Sequence, residues 1–185
     1  MANPKDPHII LGITGSIASY KTPAIVDGLR QTGATVRIIL TESGSKFVSP
    51  LTLQALSGEK VQGLNWFDGS DPLAHIHLAQ QADLIAICPA TADAIAKIAH
   101  GFADNILGAV ILAAKCPVLI FPSMNTNMYE HPATQSNLKR LKSFGYEVVE
   151  PSTGRLASGA IGRGRMPEPD KVIKIITNRI SCGKK

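Results

Sequence analysis

The stretch Pro122-Ser-Met-Asn-Thr-Asn-Met-Tyr129 follows an apolar run, Cys116-Pro-Val-Leu-Ile-Phe121, and precedes a segment with leucines at helical spacing. This order predicts a buried strand, a polar turn and a helix. Such a turn lies at the carboxyl edge of an α/β sheet, where these folds bind ligands. Asn125 offers a donor and an acceptor there, and Met124 and Met128 can pack against a flat ring. A helix-capping asparagine with two core methionines explains the same residues without a ligand.

Composition limits the class of protein. The chain has 185 residues, of which 44% are hydrophobic and 18% charged, with a formal net charge of +5. We expect one domain, residues 1–185, with a core of ordinary size. Basic residues are scattered except for Arg155, Arg163 and Arg165, and aromatic residues do not interleave with them, so we expect no nucleic-acid partner. A phosphate-bearing small ligand suits this arginine group better.

Cellular context is predicted from the cysteines and the apolar runs. Cys88, Cys116 and Cys182 are odd in number and lack metal or disulfide spacing, which favours a reducing compartment. The longest apolar run, residues 106–114, is too short to cross a bilayer, and the first residues lack the apolar segment of a signal peptide. We therefore expect a soluble, cytoplasmic protein with no membrane partner.

The first predicted strand, His8-Ile-Ile-Leu-Gly-Ile13, leads into Gly15-Ser-Ile-Ala18 and a helix through about residue 31. A strand, a Gly-Ser turn and a helix amino terminus can cradle a phosphate, because backbone amides and the helix dipole converge there. The spacing in Gly12-Ile-Thr-Gly15 differs from the dinucleotide fingerprint, so a mononucleotide is predicted. A tight turn that requires glycine explains these residues equally well.

Two further turns follow predicted strands. Thr41-Glu-Ser43 follows residues 35–40, and its hydroxyls can reach a phosphate or ribose oxygen or cap a helix predicted over residues 46–56. Pro89-Ala-Thr-Ala-Asp93 follows residues 83–88, and its small residues allow a planar ligand to approach the backbone.

His75 and His77 precede the strand predicted at residues 83–88. Two residues apart on a helix, they face different directions, and no nearby carboxylate or cysteine completes a ligand set, so we predict no metal site. One of them acting as an acid or base fits the near-neutral titration of imidazole. A capping or solvated histidine is the alternative for either residue.

The alternation of strands and helices predicts a single α/β domain with a doubly wound, Rossmann-like parallel sheet. The segment 106–114 predicts a helix that is apolar on nearly all sides and is therefore buried, centrally or against another subunit. Residues 151–169 are rich in Gly, Pro and Arg and predict a long loop of the kind that often covers a site. The residues alone therefore predict a mononucleotide-binding enzyme.

Four segments together resemble the flavin-dependent cysteine decarboxylases: residues 15–18, 89–93, 122–129 and 159–169. The resemblance extends over roughly residues 8–180 and is strongest to the phosphopantothenoylcysteine decarboxylase branch, the decarboxylase half of a bifunctional coenzyme A biosynthesis protein. It implies a flavodoxin-like fold, FMN as cofactor, and a phosphorylated, cysteine-containing small molecule as substrate. It also implies a trimer, or a dodecamer of trimers, and a phosphopantothenoylcysteine synthetase that is fused or separate.

The resemblance also implies roles for individual residues. Asn125, with Met124 beside it, is expected to bind the substrate, His75 to take a proton from it, and Arg155 to contact it from a flexible flap at about residues 151–169. FMN is expected to contact a set of small and hydroxyl-bearing residues at the predicted strand ends: Gly15, Ser16, Ile17, Thr41, Glu42, Ser43, Thr91, Ala92, Asp93, Ala94 and Ser123.

One position departs from the family pattern. The family flap reads Leu-Ala-Cys-Gly, whereas this chain has Leu156-Ala-Ser-Gly159. The implied reaction oxidises the cysteinyl side chain to a thioaldehyde, loses carbon dioxide to give an enethiolate, and then reduces it with a proton from the flap cysteine. A serine hydroxyl is a far weaker acid than a thiol, whose pKa is about 8.5. Ser158, as the catalytic residue at this position, is therefore expected to leave oxidation and decarboxylation intact and to impair the reduction.

Several alternatives share parts of this pattern. A peptidyl-cysteine decarboxylase that stops at an aminoenethiol would also lack the flap cysteine, as would an engineered variant that holds the intermediate. A flavin prenyltransferase would share the fold without the Asn125 stretch. A non-catalytic flavin-binding regulatory subunit would usually carry long acidic tails, and residues 1–7 and 181–185 are short and not acidic.

Overall fold

The computed structural model describes residues 6–64 and 71–182. Its main feature is a five-stranded parallel sheet in the order β2-β1-β3-β4-β5. The strands are β1 (His8–Ile13), β2 (Thr35–Leu40), β3 (Leu84–Ala90), β4 (Val118–Pro122) and β5 (Glu147–Val148). The predicted doubly wound parallel sheet is therefore confirmed.

Helices cover both faces of this sheet. A 3-10 helix (Ile17–Lys21) precedes α1 (Thr22–Gln31), and the remaining helices follow in chain order: α2 (Glu42–Ser45), α3 (Pro50–Ser57), α4 (Ala74–Gln81), α5 (Ala92–Ala99), α6 (Ile106–Ala113), α7 (Thr126–Glu130), α8 (Pro132–Ser143) and α9 (Pro169–Cys182). Helices α1, α3 and α9 pack on one face, and α4, α5, α6 and α8 pack on the other. Among the described helices, none has the length and apolar character needed to span a membrane.

The apolar runs form central strands because both of their faces are covered. In β1, Ile9 and Leu11 belong to the core cluster on one face of the sheet, whereas Ile10 belongs to the cluster on the other. Parallel strands buried on both faces read as continuous apolar runs rather than as alternating patterns. From β1 the chain passes to β2 on one side and later to β3 on the other, so the strand order reverses at β1. The crevice beyond the carboxyl ends of β1 and β3 is the position where such sheets bind ligands.

Helix α6 is covered mainly by its own chain. Ile106 to Ile111 are all buried, and a Cβ on Gly108 would lie 2.3 Å from the carbonyl oxygen of Phe102. Leu112, at the end of the helix, is 57% exposed. The prediction of a buried apolar helix is confirmed, and the burial comes from the rest of this chain. Helix α6 by itself therefore gives no reason to expect a second subunit.

Two predictions of local structure were wrong. Residues 151–169 are not a single loop, because β6 (Ser152–Arg155) and β7 (Ile161–Arg165) form an antiparallel hairpin that leads into α9. These two strands are rich in glycine and arginine, so they lack the alternation of apolar and polar residues by which a strand is usually predicted. The helix predicted over residues 46–56 begins only at Pro50, as α3, because Pro50 occupies its first turn, and the separate short helix α2 ends at Ser45.

Candidate active site

The turn after β1 carries the predicted phosphate cradle. The Ser16 hydroxyl accepts a hydrogen bond from the Ala18 N–H at 3.3 Å and so caps the 3-10 helix. The same hydroxyl lies 3.0 Å from the hydroxyl of Ser123, at the end of β4. A Cβ on Gly15 would lie 2.6 Å from the Cβ of Ser43, so only glycine fits where the turns after β1 and β2 meet.

Thr14 joins this turn to the end of β3. Its buried hydroxyl donates to the Pro89 carbonyl at 2.7 Å and accepts from the Thr91 N–H at 3.1 Å. Thr14 therefore joins the ends of β1 and β3 at the base of the crevice where the strand order reverses. Thr14 was not predicted as a site residue, although a hydroxyl placed directly after a buried strand was a usable signal.

A cavity of about 550 Å³, here called the hydroxyl cavity, lies beside Thr14 at the ends of β2 and β3. It is lined by most of the residues expected to contact FMN at these two strand ends: Thr41, Glu42, Ser43, Thr91, Asp93 and Ala94. Thr41 and Thr91 also cap helices, because their hydroxyls accept from the N–H groups of Gly44 and Ala94 at 3.1 and 3.2 Å. These two hydroxyls cap helices and are also placed where they can bind a ligand.

Three of the charged side chains that line the hydroxyl cavity form one ion-paired group. Lys97 lies 2.9 Å from a carboxylate oxygen of Asp104 and 3.7 Å from one of Asp93. The hydrogen bond with Asp104 is the largest influence that raises the pKa of Lys97 above its usual value. The charge of Lys97 is therefore already balanced by protein carboxylates, and beside the charged residues the cavity offers a flavin hydroxyl groups and small side chains.

A second cavity of about 440 Å³, here called the flap cavity, lies on the other side of the Ser16 turn. It brings together residues from the three distant segments that the sequence analysis selected: Ser16, Ile17, Ser123, Met124, Asn125, Arg155 and Ser158. Ser158 is exposed in the turn between β6 and β7, and Arg155 ends β6. The expected substrate residues and part of the expected cofactor set thus share one cavity.

The turn that carries Asn125 is held by the hairpin. The Asn125 side-chain oxygen accepts from the Asn127 N–H at 2.9 Å and caps α7. The Met124 N–H donates to the Gly164 carbonyl at 3.0 Å, and Gly164 has a φ of 137°. Met124 is half-buried against the core as well as lining the flap cavity. Asn125 therefore has a capping role, which leaves its amide nitrogen to face a ligand.

Lys21 was missed in the sequence analysis. Its side chain is 5% exposed, lines the flap cavity, and places Nζ 3.0 Å from Glu168 Oε1 and 3.4 Å from the Met166 carbonyl oxygen. The hydrogen bond from Lys21 is the main reason that the pKa of Glu168 is lowered. Since the two residues meet only through the tertiary fold, no local pattern in the sequence signals this pair.

Three residues of the expected set do not line either cavity in the described part of the chain, and one of them is Gly15, in the turn after β1. His75 is half-buried on α4, and Ala92 begins α5, and neither is among the residues that line the two cavities. His77, on the same helix as His75, faces Asp71, with 2.8 Å between Nδ1 and Oδ2. Within residues 6–64 and 71–182, no group of three His, Cys, Asp or Glu side chains is placed to hold a metal ion.

Comparison with known proteins identifies relatives over nearly the whole chain. A family model described as Flavoprotein matches residues 2–181. The coenzyme A biosynthesis bifunctional protein CoaBC of Bacillus subtilis is 46% identical over 170 residues, which are 91% of this chain and 42% of that protein. A probable phosphopantothenoylcysteine decarboxylase of Streptococcus mutans is 42% identical over 176 residues, 93% of this chain and 98% of that protein. The chain thus spans less than half the length of the bifunctional relative.

Solved structures agree with these matches. A cysteine-to-serine mutant of a PPC decarboxylase, complexed with pantothenoylaminoethenethiol, superposes with a TM-score of 0.84 at 31% identity, covering 94% of this chain and 98% of that one. The FMN-dependent cysteine decarboxylase SpaF has a TM-score of 0.83 at 30% identity, covering 97% and 98%. The resemblance predicted from the sequence is confirmed, and a flavin is the class of cofactor that these relatives indicate. The chain belongs to the Flavoprotein family, together with the phosphopantothenoylcysteine decarboxylases.

Proposed function

We propose that this protein is a phosphopantothenoylcysteine decarboxylase that uses FMN and acts on 4'-phosphopantothenoylcysteine in coenzyme A biosynthesis. One observation carries the proposal: the flap cavity gathers the turn after β1, the turn after β4 and the hairpin of β6 and β7. These are the segments that the family resemblance assigns to the flavin, the substrate and the flap. These segments are far apart in the chain, yet they meet in one cavity of a size that suits a small molecule. If each were only a helix cap or a loop, no such meeting would be expected.

The residues at the carboxyl edge fit a flavin mononucleotide. Ser43 leaves no room for a side chain at residue 15, so glycine there lets the turns after β1 and β2 meet, and their amides and hydroxyls can serve a phosphate together. The hydroxyls of Ser16, Thr41 and Ser123 lie along the same edge, where they can bond phosphate or ribityl oxygens. The solved relative SpaF is described as FMN-dependent, which supports FMN as the particular flavin.

The reaction divides between the cofactor and the side chains. When bound, FMN supplies a hydride acceptor for the cysteinyl side chain and a hydride donor for the later reduction. Asn125 holds the substrate carboxylate through its amide nitrogen, because its oxygen already accepts from Asn127. His75 takes a proton from the substrate in the oxidative half, and Arg155 contacts the substrate from the hairpin. Carbon dioxide then leaves from the carbon beside the oxidised one, which gives an enethiolate.

Ser158 determines how far the reaction proceeds. Reduction of the enethiolate to 4'-phosphopantetheine needs a proton together with the hydride, and a serine hydroxyl supplies a proton far less readily than a thiol. The enethiol product, two hydrogens lighter than phosphopantetheine, is therefore expected to accumulate. The solved PPC decarboxylase that carries a cysteine-to-serine change is complexed with pantothenoylaminoethenethiol, which supports a stop at this stage.

The same serine favours a second candidate function. A peptidyl-cysteine oxidative decarboxylase forms an aminoenethiol as its final product and needs no proton donor in the flap. Incubation of the protein with phosphopantothenoylcysteine and, separately, with a peptide that ends in cysteine distinguishes the two functions. Release of carbon dioxide from the first compound alone supports our proposal, whereas release from the peptide alone supports the second. A non-catalytic regulatory subunit would release it from neither.

The proposal extends to the assembly and the partners. We infer one flavoprotein domain over residues 1–185, a flexible flap within residues 151–169, a trimeric unit and a cytoplasmic location. Ile17 and Tyr20 beside the flap cavity and Phe102 beside the hydroxyl cavity are more than half exposed, which supports burial against further subunits. The bifunctional relatives support a synthetase as a fused or separate partner. Light scattering of the FMN-bound protein tests the trimer, and a monomer would contradict it.

A further inference from the structure

We propose that Arg165, together with Lys21 and Arg155, forms a binding site for the phosphate of the substrate within the flap cavity. This site would make the chain prefer a phosphorylated cysteine derivative to the same compound without phosphate. The inference rests on the proposed decarboxylase function and adds Arg165 and Lys21 to the residues that the resemblance implied.

The charges of the flap cavity are unequal. Three cationic side chains line it, from Lys21, Arg155 and Arg165, and no Asp or Glu is among the described residues that do so. A single carboxylate beside the cavity serves two of these cations, since Glu168 Oε1 lies 3.0 Å from Lys21 Nζ and 2.6 Å from a guanidinium nitrogen of Arg165. In the described part of the chain, no ion pair within 4.0 Å includes Arg155. The cavity therefore keeps a surplus of positive charge.

The position of Arg165 suits a phosphate. Its guanidinium has one nitrogen on Glu168 and another beside Gly154, where a Cβ would lie 3.5 Å from it. The carboxylate thus occupies one nitrogen of the planar group, and the remaining N–H groups form the kind of fork that matches phosphate oxygens. Lys21 is almost fully buried, so its charge is less screened by water than that of a surface lysine.

The rest of the cavity fits the other parts of such a substrate. Asn125 lies at the same cavity to hold the carboxylate, and the side chains of Met124, Leu156 and Met166 provide an apolar wall for the chain between the two anionic groups. A volume of about 440 Å³ accommodates a small molecule rather than a folded peptide segment. One cavity therefore offers an amide, an apolar wall and a cationic group.

FMN also carries a phosphate, so the site of the cofactor phosphate has to be distinguished from that of the substrate phosphate. The turns that contain Gly15, Ser16 and Ser43 offer backbone amides and hydroxyls, which suit the cofactor phosphate. The cations lie instead on the 3-10 helix and on the hairpin, beyond Ser16 and next to the flap. We therefore assign Lys21, Arg155 and Arg165 to the substrate, and a loss of FMN on removal of Arg165 would point to the cofactor.

Arg163 provides a matched control. It lies on the same strand as Arg165, is similarly exposed (48% against 40%) and is also ion-paired, in its case with Glu150. Its guanidinium lies 5.3 Å from the centre of the Tyr129 ring, and it is not among the residues that line the flap cavity. Arg163→Gln therefore removes the same charge from the same hairpin without touching the cavity.

The test compares phosphopantothenoylcysteine with pantothenoylcysteine on the FMN-bound protein. The rate of carbon dioxide release at low substrate concentration is measured for both compounds with the unchanged chain, Arg165→Gln, Arg163→Gln and Glu168→Gln. We expect Arg165→Gln to reduce the preference for the phosphorylated compound by about tenfold or more, since a charge-assisted hydrogen bond is lost. Arg163→Gln should keep the preference, and Glu168→Gln should increase it because two cations lose their competing carboxylate.

The outcomes that overturn the inference are distinct from those that overturn the function. If both compounds react equally well with the unchanged chain, or if Arg165→Gln keeps the full preference, decarboxylation stands and the phosphate site is wrong. If Arg165→Gln loses FMN while the remaining holoprotein keeps its preference, the arginine serves the cofactor and the assignment is also wrong. If neither compound releases carbon dioxide with any variant, the proposed function fails and the inference fails with it.

Discussion

The hydroxyl of Ser16 lies 3.0 Å from the hydroxyl of Ser123, a residue 107 positions further along the chain. The two serines follow β1 and β4, which are not neighbours, because β3 lies between them in the sheet. Their contact therefore bridges the end of β3 and joins the expected flavin turn to the expected substrate turn. A displacement of one turn is expected to be transmitted to the other.

A comparison of Ser16→Ala with Ser123→Ala separates the helix-capping role of the Ser16 hydroxyl from its contact with Ser123. Loss of the cap on the Ala18 N–H should lower the free energy of unfolding by about 1 kcal/mol, and FMN binding should weaken. Ser123→Ala removes the same serine pair but keeps the cap, so it should cost less stability. Chemical denaturation and FMN titration of both variants give these values. An unchanged FMN affinity in Ser16→Ala would show that this hydroxyl does not contact the cofactor.

His75→Asn should abolish the release of carbon dioxide while FMN is retained. An amide cannot take up a proton near neutral pH, and His75 on α4 does not line either cavity from which the cofactor would be lost. His77→Asn is the control on the same helix, because His77 faces Asp71 and should leave the release largely intact. Full release by His75→Asn would identify another group as the base.

Gly164→Ala tests whether the hairpin positions the Asn125 turn. Gly164 has a φ of 137°, and an added Cβ would lie 2.2 Å from the carbonyl oxygen of Met124. Gly159→Ala is the control, because Gly159 has a φ of 86° with nothing within 4 Å of the added atom. Both variants carry a backbone cost of about 1 kcal/mol or more, but only Gly164→Ala also displaces the hairpin. Thermal unfolding and substrate KM should both change more in Gly164→Ala, and equal effects in the two variants would contradict this role.

The pair of Lys21 and Glu168 predicts an acid-sensitive contribution to stability. The pKa of Glu168 is lowered in the folded protein, mainly by the hydrogen bond from Lys21. A carboxylate with a lowered pKa stabilises the fold at neutral pH, and this stabilisation is lost as pH falls through the folded pKa. Between about pH 5 and about pH 3, the unchanged chain should therefore lose more stability than Glu168→Gln.

Thermal unfolding across this pH range measures the difference. Glu59→Gln is the control, because Glu59 lies 3.9 Å from Arg37, a longer ion pair than the 3.0 Å between Lys21 and Glu168, and it should follow the unchanged chain. Equal acid sensitivity of Glu168→Gln and the unchanged chain would show that the Lys21 contact contributes little to the stability of the hairpin.

The sequence predicted the features that local patterns encode. The buried strand ending at Ile13 and the apolar helix α6 followed from runs of apolar residues, and the polar turn at Asn125 followed from its place after a buried strand. The hairpin did not follow, because strands rich in Gly and Arg lack the usual apolar alternation. The contacts of Lys21 with Glu168 depend on packing between segments far apart in the chain, which no local pattern reports.

The candidate site was predictable to a similar extent. Ser16, Asn125 and Ser158 were selected from the sequence, and the structure places all three at one cavity. Thr14 was quoted only within a glycine pattern, and Arg165 only as one of three arginines suited to a phosphate-bearing ligand, because their particular contacts come from what the fold brings against them. His75 stays a prediction from the family resemblance, since it does not line either cavity in the described part of the chain.

The most direct test of the decarboxylase function is mass analysis of the product formed when phosphopantothenoylcysteine is added to the FMN-bound protein without oxygen. We expect carbon dioxide, a bleached flavin spectrum and a product two hydrogens lighter than phosphopantetheine, and Ser158→Cys should instead give repeated turnover to phosphopantetheine. Turnover of the unchanged chain at the rate of Ser158→Cys would show that the flap residue is not the proton donor. Unaltered substrate in both proteins, with FMN bound, would contradict the central claim that this chain is a phosphopantothenoylcysteine decarboxylase.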